Sequence, residues 1–478
     1  MPRTRVIYQN EALYCSMDVP YSGSQTGVAF TKGGGVGNHI VGGNFNVMDL
    51  NRIQSISYSF NVARQDVNQF GELAAIDQCI VEAPTVSLDA SYYLSNFTNE
   101  HRLGFFVTQS GEGTSYSSNQ PQADTTATKS CITNILDSTG NAYQKSYYIL
   151  TAKEGKDANY SGPTGVPAVK SGDYESIIGI GNGFLSSYST EGSVGGMPTV
   201  SFSVEGQNMN FVSIPDLSLS GDPATGDIRF HNGFRVSSQG QAANMALIGI
   251  SGENPAVNPL DGTKYGTPVC LPVPSGNSTG TMGEISTLRP GDITLTLAKQ
   301  TGNAVFNAAT GVIGTDGFTA SERGMQDPDY AGLNIENAHI QSYNISFDLS
   351  RSPIQKLGVK YAFARPTDFP ISISLSLDAI VSDLTTGSLA DMINCDDSFD
   401  ARITLKDPTC TVSPKPEVCN YVIKGLKLNT QSFSQSIGDN QTVSLDFSTQ
   451  IGGPDQKNKG LFMSGYHMTG SLDHHQIN

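Results

Sequence analysis

Apolar and polar residues alternate along much of this chain with a period of two. Between residues 53 and 62, Gln54, Ile56, Tyr58, Phe60 and Val62 fall on one side of an extended segment, and Ile53, Ser55, Ser57, Ser59 and Asn61 on the other. A β-strand places successive side chains on opposite faces, so this spacing predicts a strand with one buried face. The same pattern recurs at Tyr343, Ile345, Phe347 and Leu349, at Val86, Leu88, Ala90 and Tyr92, and at Ile373, Leu375, Leu377 and Ala379. Further strands are predicted over residues 146–152, 176–187 and 199–204 in the first half, and over 402–405, 421–429 and 442–447 in the second, separated by Gly, Asn and Ser turns. The fold class expected is all-β with a few short helices, for which residues 131–137 and 387–394 are the candidates. Each half reads as a β-sandwich or a rolled, barrel-like sheet.

The chain also repeats itself. Residues 53–71 (IQSISYSFNVARQDVNQFG) align without a gap on 340–358 (IQSYNISFDLSRSPIQKLG). Seven of these nineteen positions are identical: Ile53/Ile340, Gln54/Gln341, Ser55/Ser342, Ser59/Ser346, Phe60/Phe347, Arg64/Arg351 and Gly71/Gly358. Residues 193–204 (SVGGMPTVSFSV) match 436–447 (SIGDNQTVSLDF), with Thr199/Thr442 and Val200/Val443 at the centre. Between these blocks SLDA recurs at 87–90 and 376–379, which makes Arg64/Arg351 and Asp89/Asp378 the shared charges. Three collinear matches across unequal loops indicate a duplicated domain, since a solenoid would repeat many times at a short fixed interval. The expected boundaries are 1–215 for the first domain, 216–285 for a loop-rich connector and 286–478 for the second domain.

Because the apolar parity is kept, Phe60 and Phe347 are expected in equivalent environments. Ile53, Phe60, Arg64, Gly71, Thr199 and Val200, with their counterparts Ile340, Phe347, Arg351, Gly358, Thr442 and Val443, are the candidate core and assembly positions. The first copy is longer between its blocks (96–174 against 382–418), which predicts an extra exposed excursion.

Composition narrows the function. The chain has 51 Gly, no Trp and only 15% charged residues, which suits a turn-rich β protein. Its net charge of −16 argues against gripping nucleic acid by neutralising phosphates, and leaves open a surface past which DNA must slide. The N-terminal residues lack the apolar core of a signal peptide, and no stretch approaches the length of a membrane-spanning helix, so neither export by that route nor helical membrane insertion is expected. Seven scattered cysteines without a CxxC pair read as free thiols of a reducing compartment.

Chemistry-bearing motifs are missing. KGGGVGNH and GIGNGF lack the GxxxxGK that cradles phosphates and read as turns. The seven histidines show no HExxH or HxH spacing, and Asp396, Asp397 and Asp400 lack the rest of a calcium loop, so no cofactor or metal is expected. GNSTG around Ser278 has the letters of a nucleophile elbow without its strand and helix. Most positions shared by the halves are apolar, small or turn-forming, and the expectation is a protein that is not an enzyme.

The run SFNVARQDVNQFGELAAIDQCIVEAPTVSLDASYYL, its echo ISFDLSRSPIQKLG and the late block LNTQSFSQSIGDNQTVSLDFSTQIG resemble the major tail tube proteins of long-tailed bacteriophages, in particular the double-length kind with two fused tube domains. The resemblance covers about half of each repeat. It implies a structural virion protein, made in the host cytoplasm, whose domains join into a ring-wide β-barrel. Ordinary tube proteins form rings of six domains that stack into a hollow tube, so a fused chain implies homotrimeric, pseudo-hexameric rings. The partners implied are further copies of itself, a tape-measure protein, tail tip and terminator proteins, and DNA that passes without tight binding. The alternative is a β-rich fibre or adhesin that binds a receptor or glycan, against which the absence of Trp counts.

Overall fold

The computed structural model describes residues 11–18, 30–31, 38–39, 45–81, 84–108, 130–133, 135, 145–155, 174–213, 228–231, 268–271, 287–299, 306–307, 312–313, 338–355, 357, 362, 365–381, 398–406, 408, 417–435, 440–453, 456 and 459–465. The first half contains β1 (Glu11–Asp18), β2 (Phe30–Thr31), β3 (Asn38–His39), β4 (Phe45–Asp49), β5 (Ile53–Asn61), β6 (Arg64–Val67), β7 (Asp77–Ile80) and β8 (Thr85–Tyr93). It continues with the helix α1 (Thr98–Leu103), β9 (Val107–Thr108), β10 (Lys145–Ala152), β11 (Tyr174–Ser193), β12 (Thr199–Gly206) and β13 (Asn208–Ser213). In the connector, β14 (Ile228–His231) pairs with β15 (Pro268–Leu271). The second half contains β16 (Ile293–Lys299), β17 (Phe306–Asn307), β18 (Val312–Ile313), β19 (Ala338–Asp348) and β20 (Ile371–Val381). It ends with β21 (Phe399–Lys406), β22 (Glu417–Ser434), β23 (Thr442–Ile451) and β24 (Gly460–Gly465). The fold is all-β, as the alternation predicts.

Seven strands of each half recur in the same chain order and with the same partners. β1, β5, β8, β10, β11, β12 and β13 correspond to β16, β19, β20, β21, β22, β23 and β24, every neighbouring pair antiparallel. The irregularities recur too. An extra residue bulges out at Gln54 in β5 and at Gln341 in β19, and again at Ser186 in β11 and Asn429 in β22. Bulges are placed features that re-aim a strand, so their repetition at matching positions shows duplicated geometry well beyond the few identical residues. Residue n of β5 or β8 corresponds to n + 287, as Ile53 to Ile340, and residue n of β11 or β12 to n + 243, as Thr199 to Thr442.

This register corrects one sequence match. SLDA at 87–90 and 376–379 is displaced by two residues from the structural equivalence, so Asp89 corresponds to Ser376 and Asp378 to Ser91. A slip of two keeps every side chain on its face, which is why the pattern could not reveal it. The hydrogen bond is conserved with its ends exchanged: Ser203 Oγ donates to Asp89 Oδ1 (2.6 Å) in the first copy, and Ser376 Oγ donates to Asp446 Oδ1 (2.7 Å) in the second.

The long strands β11 and β22 each serve two sheet segments. Their first parts pair with β10 and β13, or β21 and β24; their second parts enter one continuous sheet ordered β5-β8-β12-β11-β19-β20-β23-β22. One face of this eight-stranded sheet is apolar and covered, with Leu88, Val200, Phe202, Tyr188, Ile345, Leu375 and Leu445 in a single core. Its other face carries Ser, Thr, Asn and acidic residues. Most of the insertion after β8, where an exposed excursion is expected, lies outside the described residues. Its described part is buried, with Phe97, Leu103, Phe105 and Val107 in the core and β9 pairing parallel to β24 of the other half. Residues 131–133 form a turn where a helix was expected; the second helical candidate, at 387–394, lies outside the described residues.

Phe60 and Phe347 occupy corresponding places, opposite Val86 and Ile373, yet Phe347 is 3% exposed and Phe60 59%. The expectation of equal environments fails for one physical reason: β19 has β11 on its far side, and β5 has no second neighbour among the described residues. Truncating Phe347 to alanine should therefore cost about 3–5 kcal/mol in chemical denaturation of the single chain, and Phe60→Ala less than about 1 kcal/mol. Equal losses would mean that β5 is covered in the isolated chain.

Candidate assembly edges and the joint between the halves

The halves meet where β11 pairs with β19, from Ser187 opposite Asp348 to Ser193 opposite Ser342. Tyr188 and Phe347 face each other across this joint with ring centroids 5.5 Å apart, and Phe105 packs edge-on against both, at 4.9 and 6.0 Å. Gly192 lies opposite Tyr343, and a Cβ there would come within 2.5 Å of the Tyr343 ring. The joint is thus built for close backbone approach at one end and aromatic packing at the other.

Under the joint lies Glu100, fully buried on α1. Its Oε1 accepts from the hydroxyls of Tyr92 (2.8 Å) and Tyr188 (3.2 Å), and Tyr188 in turn lies 3.0 Å from the hydroxyl of Tyr421 on β22. Two strands of the first half therefore meet on one carboxyl, and β22 of the second half is tied to it through Tyr188. Burial pushes its pKa up to about 7, against the pull of the two hydroxyl donors. Arg102, on the same helix, pairs with Asp49 at 3.4 Å, and the Lys145 ammonium donates to the Arg102 carbonyl. A carboxyl harder to ionise in the folded chain than its ordinary value of 4.5 binds more protons folded than unfolded. Its contribution to stability consequently falls as pH rises from about 4.5 to about 7 and is level above that, a loss of about 3 kcal/mol. Thermal or urea unfolding across pH 5–8 should show this decline, and Glu100→Gln should flatten it; an unchanged slope would remove Glu100 as its source.

The outer edges of the eight-stranded sheet are β5 and the second part of β22, which correspond to β19 and β11. Among the described residues β5 pairs only with β8, and residues 427–434 only with β23. Natural edge strands are blunted by charge, proline or brevity. The sequence of β5, IQSISYSFN, contains neither charge nor proline over nine residues. On the β22 edge Phe433 is 46% exposed, and Gln431 Nε2 is enclosed without an acceptor among the described residues.

The sequence-selected positions distribute as follows. Ile53 and Ile340 are half-buried beside the two matching bulges, and Val200 and Val443 are core. Thr199 donates to Glu191 Oε1 (3.1 Å), and Thr442 donates to the carbonyl of Ser434, the residue corresponding to Glu191 (3.3 Å). Arg64 is exposed on β6. Arg351 is instead enclosed, its guanidinium 4.8 Å from the Phe184 ring, and burial with the nearby Arg365 charge lowers its pKa to about 10, so it stays cationic at neutral pH. Gly71 has a φ of 96° at the tip of the exposed arm between β6 and β7; Gly358 lies outside the described residues. Sequence reasoning missed Glu100 and α1, which lie in an insertion without a repeat partner.

The exposed face of the sheet carries Asp89, Glu191, Glu205, Asp348, Asp378 and Asp446 among its serines and threonines, with Lys427 at one end. Cross-strand hydroxyl pairs tie it together, among them Ser55 with Ser91 (2.6 Å), Ser59 with Ser87 (2.8 Å) and Ser342 with Asp378 (2.7 Å).

No protein-family model matches this chain, and no curated protein does. Among solved structures, a chain of the "Cryo-EM structure of the anti-feeding prophage (AFP) baseplate, 6-fold symmetrised" aligns with 28% of this chain and 83% of its own length, at 13% identity and a TM-score of 0.20. An overlap that loose says nothing about role.

Proposed function

We propose that this chain is a structural virion protein that assembles edge to edge into closed rings, three chains to a ring, which stack into a hollow phage tail tube. The observation that carries it is the eight-stranded sheet. Its internal joint unites β11 with β19, and its free edges are the equivalents of those same two strands. A contact already made once inside the chain can be made again between chains, head to tail, and a heterologous contact of that kind closes into a ring when the rotation permits.

The resemblance to tail tube proteins supplies the count, six domains and therefore three chains. Twenty-four strands spaced about 4.8 Å apart and tilted about 40° close into a barrel about 48 Å across between opposing backbones, wide enough to pass a DNA duplex. The apolar face already carries the rest of the core, so closure leaves the polar, acidic face lining the channel. Such a lining repels phosphates and lets DNA advance without being held. A tape-measure protein during assembly and tip and terminator proteins at the ends complete the partners of this reading, in which the chain has no catalytic role.

Native mass measurement and negative-stain microscopy of concentrated protein should show rings with three times the 50.7 kDa chain mass. Phe433→Asp, which places a charge on the exposed edge, should leave a folded chain that no longer closes. Rings of six chains, or none at any concentration, would contradict the reading.

A further inference from the structure

The connections after β5 and after β19 are the same arm built twice. They run from 62 to 84 and from 349 to 370, with the shift of 287 residues kept on both sides, and both are crossed at the root by an antiparallel pair, Arg64 opposite Ile80 and Arg351 opposite Thr367. They differ in what they touch. The second arm reaches across the β11–β19 joint and seats on the first half. Arg365 donates to Glu205 Oε1 (2.7 Å) at the end of β12, Arg351 covers Phe184 on β11, and Arg351 NH1 holds the Arg365 carbonyl (3.3 Å). Ser352 donates to Asp368 (3.0 Å) and closes the root. In the first arm every residue of β6 and β7 is exposed.

The seat that corresponds to Phe184 and Glu205 lies on the second half at Lys427 and Ser448, by the shift of 243 residues that relates β11 and β12 to β22 and β23. The chain's own first arm cannot occupy it. It springs from β5, and seven strand spacings of about 4.8 Å, or about 34 Å, separate β5 from β22. A second copy's arm can.

We infer that the union of two copies repeats the internal joint residue for residue, β22 of one against β5 of the next, with the β6–β7 arm of the second copy clamped over Lys427 and Ser448 of the first. This rests on the ring reading and goes beyond it in fixing the register and assigning the arm. The shifts of 243 and 287 place Thr430 opposite Asn61, Ser432 opposite Ser59, Phe433 opposite Tyr58 and Ser434 opposite Ser57, as Ser187, Ser189, Thr190 and Glu191 face Asp348, Ser346, Ile345 and Asn344 within the chain. The pairing covers Phe433 and Phe60, the two exposed aromatics of these edges.

The clamp has its own chemistry. Gln78 and Ser448 stand where Arg365 and Glu205 stand inside the chain, an uncharged hydrogen-bonding pair in place of an ion pair. Lys427 replaces the aromatic Phe184, and the arm that meets it carries Asp66 and Asp77 flanking Arg64 and Gln78. The internal clamp is a cation on a ring; in the external one Arg64 takes the place of Arg351 over Lys427, and the carboxylates of Asp66 and Asp77 on the same arm offset the two cations.

Thiol pairing tests the register in a background with Cys79, the exposed thiol among the described residues, and Cys270, Cys395 and Cys410 replaced by serine. Directly opposed residues of an antiparallel pair lie about 4.5–5.5 Å apart at Cα, within disulfide reach, and diagonal neighbours about 7–8 Å. Ser59→Cys combined with Ser432→Cys should therefore link chains covalently on mild oxidation, whereas Ser57→Cys with Ser432→Cys should not. Ser189→Cys with Ser346→Cys, the same pair within one chain, should close internally without raising the mass. Gln78→Cys with Ser448→Cys should join chains through a short bis-maleimide. Rings in which the out-of-register pair links instead, or in which the arm pair stays unlinked, would overturn this inference and leave the ring reading standing. A wild-type chain that never assembles would overturn both.

Discussion

The pairing of β11 with β19 is the contact on which the whole chain depends. A β-strand presents a row of amides and carbonyls along each side, and these groups are satisfied only by another strand or by water. Within each half, four strands of the large sheet leave two such rows open. The joint closes one row from each half with seven residues of antiparallel ladder, and it buries Tyr188, Phe347 and Phe105 against one another in doing so. Glu100 and its tyrosines sit directly beneath, so a helix in an unrepeated insertion is drawn into holding the repeats together. The remaining two rows, one at each end, have no such closure among the described residues.

The two faces of the sheet follow different rules. The covered face tolerates changes of side chain so long as volume and apolarity are kept, and its matching positions carry Val200/Val443, Phe202/Leu445 and Tyr58/Ile345. The open face keeps hydrogen-bonding pairs and lets the partners trade places, as Asp89–Ser203 and Ser376–Asp446 do. Short hydroxyl side chains bonded across strands give a flat surface with little apolar area and with carboxylates spaced along it.

Edges differ from both faces. A strand whose apolar residues are exposed and whose sequence offers no charge or proline is an aggregation hazard unless its partner is always at hand. β5 and the end of β22 are two such strands, and each is the duplicate of one of the two strands that pair at the internal joint. The tips of the arms add to this: Phe70 and Leu357, at corresponding positions, are both fully exposed. Seating an arm root leaves its tip outward.

By itself the sequence determined the all-β class, the parity of each strand and the existence of two copies, because alternation with period two is a local consequence of backbone geometry and survives duplication. Thr199/Thr442 and Val200/Val443, alike in local sequence, stand at matching places of paired strands. The sequence could not determine that SLDA was two residues out of step, since a slip of two changes no face. Nor could it separate Phe60 from Phe347, whose local sequences agree and whose exposures differ only through the strand that lies beyond them. The burial of Phe97, Leu103 and Phe105 and the chain of hydroxyls from Tyr421 through Tyr188 to Glu100 join residues up to 321 positions apart in the chain. Those contacts, and the identity of the two open edges, exist only once the sheet is assembled, because hydrogen bonding between strands depends on which strands become neighbours and no stretch of sequence carries that in its own pattern.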